Sequence, residues 1–208
     1  GEYRYQDIAV IHGNLEQMQP FADEIFPRLG IPYFIDTKQS IYMNPCLESI
    51  RAVLDIAESD YSYESVFRLL KTGVTGIDTE QLELLENYVI SRGIRGLQWW
   101  KRIFSQETMN GLPEGDRQIP VFQGGMQVIA QLEPVTTVLQ NSSQVREYVQ
   151  ALRDFLEALH MQEQLEQAVC SFEEDGNLLQ ARSYGQIYDK VLDIWEKLES
   201  ILGAEEMK

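Results

Sequence analysis

From Asn44 to Leu202, apolar residues return every three or four positions, a spacing that admits little besides a stack of amphipathic helices. Asn44-Pro45 is a cap followed by proline at the first helical position, and the helix it opens runs to about Ser59 with Leu47, Ile50, Leu54 and Ala57 on one side. Ser62 caps a short helix through Val66, Leu69 and Leu70 that closes near Gly73. Asp78, with Gln81 as its capping-box partner, opens another that shows Leu82, Leu85, Tyr88 and Val89 at helical intervals. Past Gly93 and Gly96, Leu97 to Phe104 reads as a short, aromatic-rich helix. Residues 105–124 hold Gly111, Pro113, Gly115, Pro120 and Gly124, with Gly125 next, and read as a long loop. Periodicity resumes near Met126 and breaks at Asn141-Ser142-Ser143, a cap signal. It continues through Val145, Tyr148, Val149, Leu152, Phe155, Leu156 and Leu159, with an irregularity near His160, to Leu165, Val169 and Phe172. Asp175-Gly176-Asn177 is a turn. The last helix runs from about Leu178 to Leu202, with Ile187, Val191, Ile194, Leu198 and Ile201 as its stripe and Gly203 as its stop.

The first forty residues follow another pattern. The run Ile8-Ala9-Val10-Ile11-His12 reads as a buried strand, and Asn14 as the cap of a helix from Leu15 to Leu29 that Gly30 ends. Ile31-Pro32-Tyr33-Phe34-Ile35 reads as a second strand. Strand, helix and strand in that order predict a parallel pair with a crossover helix. So short a piece cannot cover both faces of a parallel sheet, so residues 1–40 are expected to be a corner of a larger domain. The absence of an initiator methionine fits the same expectation. The predicted fold is therefore mainly α (α+β overall), with a partial strand–helix–strand segment over 1–40 and a helical domain over 41–208; no internal repeat is visible.

With 208 residues, 44% hydrophobic and 10% aromatic, the chain can bury a core and is not disordered. No run approaches about eighteen apolar residues, and the N-terminus lacks a basic-then-apolar signal, so neither a membrane helix nor a secretory signal is expected. The net charge of −16 argues against this segment gripping DNA strongly unaided and reads as charge that keeps a helical domain in solution. Cys46 and Cys170 both fall in helical patterns and read as core thiols in a reducing compartment rather than a disulfide.

The chemistry-bearing residues do not assemble into a recognisable catalytic pattern. His12 and His160 are the only histidines, no HxxxH or CxxC occurs, and zinc needs about four ligands at recognisable spacing. His12 reads as a strand end and His160 as a helix residue. No GxxxxGK(S/T) loop is present to cradle a phosphate; Gly124-Gly125 reads as a turn or helix start. The acidic runs Glu163/Glu166 and Glu173-Glu174-Asp175 read as solvated surface, and no Gly-x-Ser-x-Gly context supports a nucleophile. Catalytic, cofactor-binding and metal-binding residues are therefore all expected to be absent from this segment. The remaining candidate is basic. Arg92, Arg95, Lys101 and Arg102 lie within eleven residues together with Trp99 and Trp100, and Arg68 and Lys71 sit on the nearby short helix. Basic residues interleaved with aromatics can hold phosphates and stack on bases. They can equally be snorkelling stems over a buried tryptophan or a contact to another domain, and the residues alone leave both readings open.

Four stretches carry a family resemblance: YQDIAVIHGNLE from Tyr5, GIPYFIDTKQSIYMNPCLESIRAVLDI from Gly30, YSYESVFRLLKTG from Tyr61 and LENYVISRGIRGLQW from Leu85. YGQIYDKVLDIWEKLESILG from Tyr184 fits more loosely. Together they resemble the B subunit of the bacterial ATP-dependent helicase–nuclease complex, the AddB or RexB type, within the UvrD-like helicase superfamily. The resemblance implies that residues 1–40 belong to the second RecA-like motor domain (2A) and residues 41–208 to the helical insertion called domain 2B. It implies a cytoplasmic bacterial complex that resects double-strand breaks, with DNA and the A subunit as partners. It also implies ATP, magnesium and a 4Fe–4S cluster in the parent complex, none of them held by this segment. Two cysteines cannot make a four-cysteine cluster. The implied role is a noncatalytic accessory domain that positions DNA or contacts the A subunit, alone a monomer or weak dimer. Arg68, Lys71, Arg92, Arg95, Trp99, Lys101 and Arg102 are the candidate contact residues, Arg95 foremost. The alternatives are domain 2B of an active UvrD-like helicase, a helical interaction module unrelated to DNA, and a hydrolase with an unfamiliar site.

Overall fold

The structure, a computed structural model, describes residues 4–35, 44–114 and 119–202. Gly115 of the expected loop and the expected stop at Gly203 lie outside the described residues. Contacts divide the chain into two units, Gly1–Ser40 and Ile41–Lys208.

In the first unit a 3-10 turn at Tyr5–Asp7 precedes α1, Leu15–Arg28. Asn14 caps α1 as expected: its side-chain oxygen accepts the backbone N–H of Gln17 at 3.1 Å. The chain then turns at Gly30 and brings Tyr33 edge-on to Phe26, centroids 5.1 Å apart. The expected strands do not form. Residues 8–12 and 31–35 carry no strand, and no β-strand occurs among the described residues, so the strand–helix–strand corner and the α+β class are corrected to an all-helical architecture. The physical reason is that a strand exists through pairing. An apolar run shows that a segment could be buried, not that a partner is there to bury it. Here Ile8, Val10 and Ile11 are 59%, 72% and 98% exposed. His12 ends no strand; its Nδ1 lies 2.8 Å from the Asn14 carbonyl oxygen.

The second unit comprises α2 (Pro45–Ser59), α3 (Tyr63–Leu70), α4 (Thr79–Arg92), α5 (Leu97–Ile103), α6 (Gln106–Gly111), α7 (Ile119–Asn141), α8 (Val145–Ala158), α9 (Met161–Glu174) and α10 (Leu178–Leu202). The caps read from sequence hold: Asn44 accepts from Cys46 N, Ser62 from Ser65 N and Asp78 from Gln81 N. Two expectations change. Residues 105–124 are not one loop, because α6 forms within them and α7 begins at Ile119 rather than Met126. Pro120 sits in the first turn of α7, where its missing N–H costs nothing. The break after Asn141 is real, but the N-cap of α8 is Gln144, without a side-chain hydrogen bond.

α7 is the centre of this unit. It packs against α2, α4, α5 and α8, and buries Val121, Phe122, Val128, Leu132, Val135 and Leu139. Glu133 is its only charged residue, as expected of a helix with neighbours on several sides. α10 packs on α9 and α8, and α3 bridges α2 and α4. His160, in the left-handed region at φ 51°, separates α8 from α9. Cys46 is buried, and burial pushes its thiol up to about 12. Cys170, expected in the core, is exposed on α9.

Candidate nucleic-acid interface

The two adjacent tryptophans of α5 point different ways, because neighbouring helical residues sit about 100° apart. Trp100 is fully buried, whereas Trp99 is 56% exposed. Trp100 anchors the helix in an aromatic cluster: its ring lies 5.0 Å from Phe104, which lies 5.9 Å from Tyr88 and 6.0 Å from Phe122. Its indole Nε1 has no hydrogen-bond partner among the described residues.

A second anchor holds the N-terminal end of α5. Gly96 caps it with φ 80° and has no side chain to accept from the first turn. Asp60, at the end of α2, supplies that acceptor: its Oδ1 takes the Leu97 N–H at 3.1 Å. A Cβ on Gly96 would stand 3.0 Å from the other Asp60 oxygen, so the glycine allows both the positive φ and the close approach. Asp60 and Tyr61 are both left-handed, at φ 48° and 58°. Tyr61 is held there from the core, where its hydroxyl lies 2.9 Å from the Thr136 hydroxyl on α7. None of Asp60, Tyr61 or Thr136 is legible as a positioning residue from sequence, since the partners stand 37 and 75 positions away. Asp60→Ala should lower the unfolding free energy by about 1 kcal/mol, as loss of a cap does, with Asp60→Asn retaining most of it. Thermal unfolding followed by circular dichroism checks both.

The structure sorts the seven sequence candidates into two groups. Arg68, Lys71 and Lys101 are engaged internally. Arg68 pairs with Glu48 at 2.9 Å and with Asp55, tying α3 to α2. Lys71 Nζ donates to Glu86 at 2.6 Å, and the Tyr63 hydroxyl donates to the same oxygen at 2.6 Å. Those two bonds, Lys71 first, hold the Glu86 carboxyl below the usual carboxylate range; the Glu86 bond raises Lys71. Lys101 Nζ donates to Glu133 of α7 at 2.6 Å. The other group faces outward. The Arg92 guanidinium lies 5.6 Å from the Tyr88 ring centroid and that of Arg102 lies 5.8 Å from the Trp99 ring centroid, both within cation–π range. Arg95 is exposed at the turn between α4 and α5 and forms no ion pair among the described residues. Arg92, Arg95, Trp99 and Arg102 thus occupy the C-terminal end of α4, the connecting turn and α5. Arg68 serves the α2–α3 contact instead.

Such an edge can offer a stacking ring and three cations; it offers no nucleophile or general base. Among the described residues no group of three or more His, Cys, Asp or Glu side chains could hold a metal ion. No described helix is long and apolar enough to cross a membrane.

No protein-family model matches the chain. Among curated proteins it is similar to the B subunit of the ATP-dependent helicase/deoxyribonuclease from several bacteria. Identity is 36% over 214 residues with that of Acetivibrio thermocellus, covering 97% of this chain. It is 37% over 210 residues with that of Caldanaerobacter subterraneus and 30% over 210 residues with that of Clostridium botulinum, each covering 98% of this chain. In all three the chain spans 18% of the relative's length, so the match is at family level and over a small part of a much longer protein.

Proposed function

We propose that residues 41–208 are a noncatalytic accessory domain, the helical 2B insertion, of a helicase–nuclease B subunit that acts in double-strand break resection and recombinational DNA repair, and that the domain presents its α4–α5 edge to DNA. The observation that carries the reading is the outward-facing set Trp99, Arg102 and Arg95 in a chain whose net charge is −16. In an acidic protein, an exposed indole flanked by arginines that have no carboxylate partner among the described residues has little structural reason to stay so. The set has the chemistry of a phosphate-and-base contact. The family-level similarity supplies the context: the relatives' name speaks of ATP-dependent helicase and deoxyribonuclease action and of a subunit. The whole protein then works in the bacterial cytoplasm with an A subunit. ATP, magnesium and nuclease chemistry reside in parts other than these residues.

The test is fluorescence anisotropy of a labelled forked DNA across a salt series. The chain should bind weakly at low salt, with affinity falling as salt rises. Trp99→Ala should weaken binding by about 1–3 kcal/mol, the range for loss of a stacking platform. Arg95→Gln and Arg102→Gln should each reduce the salt slope by about one. Lys71→Gln, which breaks an internal pair, should leave the slope unchanged. Absence of binding at low salt, or variants indistinguishable from the parent chain, would overturn the proposal.

A further inference from the structure

The opposite electrostatic character occurs on α9 and α10. Between Arg153 and Arg182 the sequence has no lysine or arginine, while α9 alone carries Glu163, Glu166, Glu173 and Glu174. α9 and α10 pack closely, and a Cβ on Gly185 would touch Val169 Cγ2 at 3.7 Å. Along their seam runs a groove of about 280 Å³ floored by Leu165, Val169, Tyr184 and Tyr188, with Glu166 and Asp189 on its rim. Tyr184 is held edge-on against Phe172, centroids 4.9 Å apart. A shallower depression on the outer side of α9 continues the groove through Glu166 and Cys170.

Among the described residues these carboxylates have no lysine or arginine partner, unlike some others in the chain. Glu48, Glu86 and Glu133 each face a lysine or arginine within 2.9 Å. Glu166 instead accepts from the neutral Gln162 amide, at 3.0 Å, and Glu163 has the exposed imidazole of His160, at 3.8 Å. Asp189 forms no ion pair among the described residues, and neither Arg182 nor Lys190 lines the groove. A predominantly negative field over an apolar floor, partly offset at Tyr188 by Arg153, favours an occupant with cationic heads on long aliphatic stems. Lysine or arginine stems lie over tyrosine and valine while their charges reach the rim. The same field repels phosphate, so nucleic acid is disfavoured on this face.

We propose that the α9–α10 groove is a docking site for a basic segment of a protein partner, recognised by its apolar floor and by the Glu166 and Asp189 carboxylates. The site stands on its own observations, apart from the reading of the α4–α5 edge.

The test uses the isotopically labelled chain and, as probe, a blocked amphipathic leucine–lysine helical peptide, followed by amide shift perturbation. Shifts should concentrate at Leu165, Val169 and Gly185. Glu166→Lys with Asp189→Lys should weaken binding about tenfold, as juxtaposed like charges do. Glu80→Lys with Glu83→Lys, the same change in net charge on α4, should leave the affinity within about twofold. Should the first pair unfold the helices, Glu166→Gln with Asp189→Asn carries the same comparison against Glu80→Gln with Glu83→Gln. The proposal is overturned if the peptide with glutamine in place of lysine binds equally well, or if both double variants weaken binding equally. Shifts lying elsewhere, or sedimentation showing the groove closed by a second copy that the peptide does not displace, would overturn it too.

Discussion

Truncation of Trp100 to alanine is expected to lower the unfolding free energy of the helical unit by about 3–5 kcal/mol, the range for deleting a large buried aromatic. Trp100 is 0% exposed and stacks in a cluster with Phe104, next to Tyr88 and Phe122, so its removal leaves a cavity that α4, α5 and α7 must all relax to fill. Its neighbour provides the contrast. Trp99→Ala removes a ring that is 56% exposed and should change stability by no more than about 0.5 kcal/mol. Denaturant unfolding of the two variants, read beside the DNA titration, separates the roles: Trp100→Ala loses stability and Trp99→Ala loses affinity. Similar stability losses from both would mean that Trp99 is part of the core.

Gly125→Ala should be the second large effect, against the ordinary rule for helices. An alanine in a helix interior is worth about 0.5–1 kcal/mol over glycine. At Gly125, however, a Cβ would stand 2.2 Å from two Phe104 ring carbons, a distance no packing tolerates. Phe104 is 2% exposed and hemmed in by Trp100, Tyr88 and Phe122, so it cannot swing aside. Overpacking of this kind costs about 1–3 kcal/mol and can cost more. The expected outcome is a clear drop in thermal stability, partly restored when Phe104→Leu is added. Gly185→Ala serves as the control. Its Cβ would meet Val169 at an ordinary 3.7 Å, and the variant should be neutral or stabilised. A neutral Gly125→Ala would mean that α5 and α7 sit farther apart than this ring contact requires.

The same residues mark where sequence reading succeeds and where it stops. The caps at Asn14, Asn44, Ser62 and Asp78 are legible because a cap bonds a backbone N–H two or three residues away. The stretch from 105 to 124 departs from the expected loop because glycine and proline break a helix only in certain contexts. Pro120 occupies a first-turn position where it is harmless. Gly125 is demanded by Phe104, twenty-one positions away in sequence, while Gly124 packs against Gln81 and Leu85 of α4. The strands expected at 8–12 and 31–35 fail for the converse reason: β structure is completed by a partner strand, and a run of isoleucine and valine does not supply one. The basic cluster is visible as composition. Which of its members are engaged internally is decided by Glu48, Asp55, Glu86 and Glu133, whose positions no local pattern announces.

The sequence by itself determined the helical class of residues 44–202, most helix starts and the absence of any familiar catalytic signature. All of these rest on interactions spanning a few residues. The tertiary structure alone decided which tryptophan is core and which is surface, that Asp60 holds the start of α5, and which arginines are left facing solvent. Those outcomes depend on groups far apart in the chain meeting within a few ångströms, and their energies exist only once the helices have packed.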